Sequence, residues 1–168
     1  MKQQSFWKKP SARHGGSKAR GRRKTARPIA TKKSMHVILK SDRASGGWAL
    51  DKYRKEIEAL IDRLGKRYFI KIRGREVLWN HIHLLIQGRK RQHIQSFLRV
   101  LPAAITRIAT NAAKSRPVGR FWADLIFTRI VEWGRDYLGM LRYLAKNALQ
   151  AAGIPRGDID KWFKEAFG

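Results

Sequence analysis

The chain has 168 residues, 43% of them apolar and 10% aromatic, enough for one domain with a modest core and too apolar for wholesale disorder. Its 38 Lys and Arg against 12 Asp and Glu give a formal charge of +26, which points to a polyanionic partner. The absence of Cys excludes disulfide scaffolds, thiolate metal sites and cysteine nucleophiles, and no window approaches the ~18 uninterrupted apolar residues of a membrane span.

Residues 1–33 carry twelve Lys and Arg, among them Arg22, Arg23 and Lys24, and no acid. With Gly and Ser throughout and few apolar residues, they read as a flexible basic arm that binds phosphates, ahead of a single domain at 34–168. A targeting peptide would share the Arg content, but the periodic apolar face of such peptides is missing. The other +14 lies on residues 34–168, so the domain itself is basic. No acid occurs between Glu76 and Asp124, an interval that includes Arg89, Lys90, Arg91, Arg99 and Arg107, and one positive face is expected. A merely solubilising role fits a charge of +26 poorly.

In chain order, residues 35–39 form a β-branched run ended by a polar turn over 41–47, a first strand. From Leu50, apolar residues at Tyr53, Ile57, Leu60, Ile61 and Leu64 make a helical stripe, with Gly65 in the C-cap position. Tyr68, Ile70 and Ile72 alternate with Phe69, Lys71 and Arg73. Gly74 and Arg75 then turn the chain into a second run over 76–86, so these residues read as a hairpin. Ile94, Phe97, Leu98, Leu101, Ile105, Ile108 and Ala112 mark a second helix, in which Pro102 predicts a kink or a restart. Residues 121–133 read as another strand, 136–151 as a helix closed by Gly153 and Pro155, and 158–167 as a weak terminal helix. The order βαββαβα predicts an α+β fold: a ferredoxin-like βαββαβ antiparallel sheet with two helices on one face and an additional C-terminal helix for the other.

Along the strand through WNHIHLLI, the period of two sends His81, His83 and Leu85 to one face and Ile82, Leu84 and Ile86 to the other, which reads as core. Two imidazoles at i and i+2, about 7 Å apart, can converge on one metal ion. A His-x-His pair on a strand is more often structural, so a third ligand is needed. On the last long helix Tyr137 sits centrally on the apolar stripe, whereas Tyr143 and Asn147 share a flank of it one turn apart. A hydroxyl nucleophile and an amide-oxygen ligand there, opposite two imidazoles, would place a phosphate-polarising ion beside an attacking oxygen. Without the histidines, Tyr143 would read as a boundary residue with a buried ring and a wet hydroxyl. Trp79 shares the face of His81 by strand parity and is the candidate base-stacking residue. Arg89, Lys90 and Arg91, just after the histidine strand, could clamp backbone phosphate or simply form a solvated loop.

The segments WNHIHLLI, GRFWADLIFTRIV and YLAKNALQAAGI resemble the single-tyrosine HUH endonucleases, especially the REP-associated tyrosine transposases, over about residues 34–154. The resemblance implies His81 and His83 as metal ligands, Tyr143 as nucleophile, Asn147 completing or supporting the metal site, and His36, which matches a histidine common on the first strand, near DNA. It further implies a divalent ion, Mg²⁺ or Mn²⁺, single-stranded or hairpin DNA as partner, and strand transfer through a 5′-phosphotyrosyl intermediate. The same family often forms homodimers, and a transposase of this kind would act in the bacterial cytoplasm, at the nucleoid. Two departures stand out: Ala148 follows the asparagine where the family usually has proline, and the basic arm is long. Both suit the alternative of a domesticated, non-catalytic nucleic-acid-binding protein, either nucleoid-associated or RNA-binding.

Overall fold

Two largely apolar stretches, at 34–40 and 81–88, take the middle of the molecule, and the rest is arranged by which of their faces is apolar. The computed structural model describes residues 13–21 and 25–167. Its elements are β1 (Arg13–His14), β2 (Ser34–Lys40), α1 (Arg54–Arg67), β3 (Ile70–Val77), β4 (His81–Gly88), α2 (Arg91–Thr110), β5 (Phe127–Val131), α3 (Arg135–Ala151) and α4 (Arg156–Phe167). The strands form one antiparallel sheet in the order β1-β5-β2-β4-β3. Leaving out β1, this is the ferredoxin-like arrangement, as the element order predicts.

One face of the sheet carries Met35, Val37 and Leu39 on β2 and Ile82, Leu84 and Ile86 on β4, each at most 2% exposed. Against it lie Ile57, Ile61 and Leu64 of α1 and Ile94, Phe97, Leu101 and Ile105 of α2. Each such side chain, when fully buried, contributes about 1.5–3 kcal/mol, so this layer supplies most of the driving force for folding. The opposite face holds a smaller cluster of Leu85, Val131, Met140 and Leu144, which is where α3 docks. Among the described residues no helix is long and apolar enough to cross a membrane.

The structure differs from the sequence expectations in several places, and the strand expected over 121–133 is confined to β5, Phe127–Val131. Helix α1 runs past Gly65 to Arg67. Gly65 is buried inside it, where a Cβ would meet the Ile70 carbonyl oxygen at 3.1 Å, so its smallness serves packing and not capping. Gly74 and Arg75 are strand residues at a register shift between Ile72 and Gly74, and the hairpin turns later, over residues 78–80. Trp79 therefore lies in that turn, 56% exposed, where strand parity does not set its direction. Helix α2 is unbroken through Pro102, because burial of Leu98, Leu101 and Ile105 on both sides of it holds the helix together. Finally, part of the basic arm is laid along the sheet: Arg13 and His14 pair with Arg129 and Thr128 of β5, and Arg20 forms an ion pair with Asp124. Arg27 donates to the Ile126 carbonyl and to Thr128 Oγ1. Arg22, Arg23 and Lys24 fall outside the described residues.

Candidate active site

In an antiparallel sheet, directly paired residues point to the same side. His36 of β2 stands opposite Leu85 of β4 and Arg129 of β5, while Ile38 stands opposite both His83 and Phe127. The face turned away from α1 and α2 thus gathers His36, His81, His83, Phe127 and Arg129 around the patch that receives α3. Two contacts seat that helix. Leu144 packs over Gly74, whose missing side chain makes the approach feasible, since a Cβ there would meet Leu144 Cδ1 at 2.9 Å. In the first turn of α3, Asp136 accepts both from Arg129 Nη1, at 2.9 and 3.0 Å, and from the Glu132 backbone N–H at 2.9 Å. Burial opposes ionisation of this carboxyl, yet the Glu132 N–H and Arg129 hold it below the ordinary aspartate range.

So seated, α3 brings Tyr143 edge-on to two histidines, with ring centroids 5.4 Å from His83 and 6.3 Å from His36. Tyr143 remains 42% exposed, so the residue is reachable from solution. His36 and His83 are 5% and 3% exposed and stack at 5.3 Å, with His36 Nε2 hydrogen-bonded to His83 Nδ1 at 3.1 Å. His81 meets His83 edge-on at 4.9 Å and donates from Nδ1 to Asn80 Oδ1 at 2.6 Å, since an amide oxygen can only accept.

Burial, reinforced by His36 and His81, pushes His83 down to about 3. Burial and Arg129 push His36 down to about 4, against the pull of Asp136, and burial followed by Lys40 lowers His81. All three rings are therefore neutral near pH 7, as imidazole ligands must be. The Nδ1–H of His81 is bound to Asn80, which leaves Nε2 as its lone-pair atom. In His83, donation from Nδ1 to His36 would do the same, and His83 Nε2 is buried with no hydrogen-bond partner. With that tautomer, the partnerless His83 Nε2 beside a second imidazole nitrogen fits a divalent cation. Among the described residues, however, no three His, Cys, Asp or Glu side chains group closely enough to hold a metal by themselves, so the protein's donors of these types end at the histidine pair.

The remaining expected residues are dispersed. Asn147 lines, with Tyr143, a shallow cavity of about 280 Å³ between α3 and α4, whose other walls are Lys146, Gln150, Arg156 and Ile159. Neither His81 nor His83 lines it. Arg89, Lys90 and Arg91 are exposed, but they lie past the far end of β4, roughly 20 Å from His83 at about 3.4 Å per strand residue. Tyr137 packs against the small cluster, with its ring 4.7 Å from Trp133. Sequence reasoning placed His36 only near DNA and overlooked Asn80. Strand parity already puts His36 on the face of His83, and Asn80 directly precedes the His-x-His pair.

A similar arrangement of elements occurs in the structure of a REP-associated tyrosine transposase bound to a REP hairpin, at TM-score 0.57 and 15% identity, over 76% of this chain and 73% of that one. The chain shares that transposase fold. A transposase candidate from Deinococcus radiodurans R1 is more distant, at TM-score 0.45 and 18% identity over 74% of this chain and 97% of its own. No protein-family model and no curated protein matches the sequence.

Proposed function

We propose that the protein is a metal-dependent single-stranded DNA endonuclease and strand transferase, transposase-like, that cuts through a 5′-phosphotyrosyl intermediate on Tyr143. The observation that carries this reading is the contact of the exposed Tyr143 with His83, a buried neutral imidazole whose Nε2 has no partner. His81 and His83 would hold a divalent cation, Mg²⁺ or Mn²⁺, through their Nε2 atoms, with Asn147 completing or supporting the set. Bound there, the cation would neutralise charge on the scissile phosphate. The Tyr143 hydroxyl attacks phosphorus and loses its proton to solvent. The Tyr–O–P bond forms as the P–O3′ bond breaks, and the departing oxygen takes up a proton to become a 3′-hydroxyl. Because the phosphodiester is conserved, another 3′-hydroxyl can reverse the step, which is strand transfer.

Asp136 and Arg129 fix the start of α3, and so the reach of Tyr143. Tyr143 meets His83 of its own chain, which supports cleavage without a residue from a second copy, even within a homodimer. Single-stranded or hairpin DNA as substrate accords with the hairpin held by the similar transposase, and such a protein would work in the bacterial cytoplasm at the nucleoid. In the test, single-stranded and hairpin oligonucleotides are incubated with Mn²⁺ and covalent adducts are resolved on denaturing gels. Wild type forms an adduct, and Tyr143→Phe forms none while binding within a factor of a few. No adduct from wild type on any substrate refutes the reading. One observation favours the alternative of a domesticated, non-catalytic nucleic-acid-binding protein: the lack of a third His, Cys, Asp or Glu beside the pair among the described residues.

A further inference from the structure

Phe69 occupies a position that neither stability nor burial explains. It follows the C-cap of α1, with its N–H on the Lys66 carbonyl at 3.3 Å, at φ 53. This is the left-handed position after a helix, where Gly is favoured because a side chain crowds the backbone. A bulky aromatic there is an outlier, and such strain concentrates at functional sites. The strain is not offset by burial, since Phe69 is 73% exposed, more than any other large apolar residue described.

Its surroundings state what would meet it. The ring stacks at 5.1 Å and 29° on His93 of α2, which leaves the other ring face free as a flat platform. Next along the chain, Ile70 pairs with Gly88, so Arg89, Lys90 and Arg91 emerge directly beside it. Residues 63–75 and 87–99, the segments that run to and from this end of the sheet, contain ten Lys and Arg and no acid, and of these Arg75 is paired with Asp62. Arg67 lies over the neighbouring Tyr68 ring at 5.6 Å, and α2 begins with no acid in its first turn. An exposed, backed aromatic face beside a cluster of cations matches a base with its flanking phosphates.

We infer that Phe69, stacked on His93 and flanked by Arg89, Lys90 and Arg91, is a second single-stranded nucleic-acid site, at the end of β4 opposite the histidine–tyrosine site. It holds an unpaired base on the ring and the backbone on the cations, so that a strand engaged at Tyr143 is gripped at two places on the protein. The site does not depend on the cleavage reading, because a protein that only binds nucleic acid would use it equally.

The strain itself supplies a clean test. Phe69→Gly removes the platform while relaxing the backbone, so the thermal midpoint of the variant is unchanged or raised. Its affinity for a fluorescent oligothymidylate, read by anisotropy at moderate salt, falls roughly 5- to 150-fold, the range of one lost stacking contact. Phe69→Trp, which keeps a stacking face, retains wild-type affinity. Replacing Arg89, Lys90 and Arg91 together by Ala lowers the slope of log affinity against log salt by about 2, at about 0.7 per phosphate contact. A stable Phe69→Gly protein that binds the oligonucleotide as wild type does overturns the inference. So does a loss confined to phosphatidylserine vesicles, which would make Phe69 a membrane anchor. Adduct formation through Tyr143 is scored separately, so failure of the cleavage reading leaves this result interpretable.

Discussion

The seating of α3 on Gly74 can be tested by a double-mutant cycle. Leu144 is 5% exposed and shares a buried cluster with Leu85, Val131 and Met140. Leu144→Ala removes three carbons at about 0.8 kcal/mol each, and the void adds to that, so a loss of about 2–4 kcal/mol is expected. Gly74→Ala acts in the opposite sense. The new methyl would stand 2.9 Å from Leu144 Cδ1, 3.7 Å from Leu85 Cβ and 3.9 Å from Leu141 Cδ2. The first distance is short of the usual carbon contact by roughly 0.6–1.1 Å, while the other two are ordinary. Overpacking of this kind costs about 1–3 kcal/mol, offset by about 1 kcal/mol from methyl burial and reduced unfolded-chain entropy, for a net loss of up to about 2 kcal/mol. In the double variant the clashing carbon is gone and the methyl introduced at position 74 enters the space it left. The two losses should therefore add to less than their sum, by about 1–2 kcal/mol. Urea unfolding followed by circular dichroism gives all four free energies. Additivity within about 0.5 kcal/mol would refute close packing of α3 on Gly74, and with it the placement of Tyr143.

Three further outcomes are expected. In metal-free protein His36 and His83 are held neutral, at about 4 and about 3, below the unfolded value near 6.5. The unfolded chain alone gains their protons as pH falls below 6.5, so stability is full above that pH. It then declines toward pH 4 by on the order of 1.4 kcal/mol per pH unit for each ring, as urea titrations at several pH values would show. Asn80→Ala removes the acceptor that fixes His81 Nδ1–H, and Mn²⁺ affinity by calorimetry should fall about 10- to 100-fold with little change in melting temperature. Glu76, 3% exposed, accepts from Arg54 Nη1 at 3.0 Å, so Arg54→Met strands a buried carboxylate and should destabilise by more than Glu76→Gln does at pH 7. The gap should narrow at pH 5, because burial raises the Glu76 carboxyl and, with Arg54 gone, it protonates more readily on acidification.

What could be read from the sequence was whatever is periodic. The alternation at His81–Ile86 gave both the core face and the site face, and the helical stripe separated Tyr143 from Tyr137, which packs against the small cluster. What escaped depends on partners distant in sequence. Gly74 looks like a turn residue until Leu144, seventy positions later, is seen to need the space. Gly65 looks like a cap until the Ile70 carbonyl is found against it. Arg13 and His14 have no apolar pattern and become a strand only because β5 offers an open edge. Phe69 fits an alternating strand by pattern, yet it is the left-handed residue before that strand, where propensity would choose Gly.

The division of the molecule into a large core and a small one bears on how the site is held. His36, His81 and His83 stand on the central strands, whose other face is locked into the main hydrophobic layer, so the imidazoles have little freedom. Tyr143 stands on a helix held by a few side chains and by the Arg129–Asp136 pair, both partly exposed. Local opening draws on the least buried contacts, so α3 can shift from the sheet at a cost well below global unfolding. Under the proposed function, such an asymmetry would suit a nucleophile that must let a bulky polynucleotide in and out, while the groups behind it stay aligned. On the proposed function, changes at Gly74, Leu144 or Asp136, none of which carries the proposed nucleophilic oxygen, should therefore reach the chemistry through the position of one phenol.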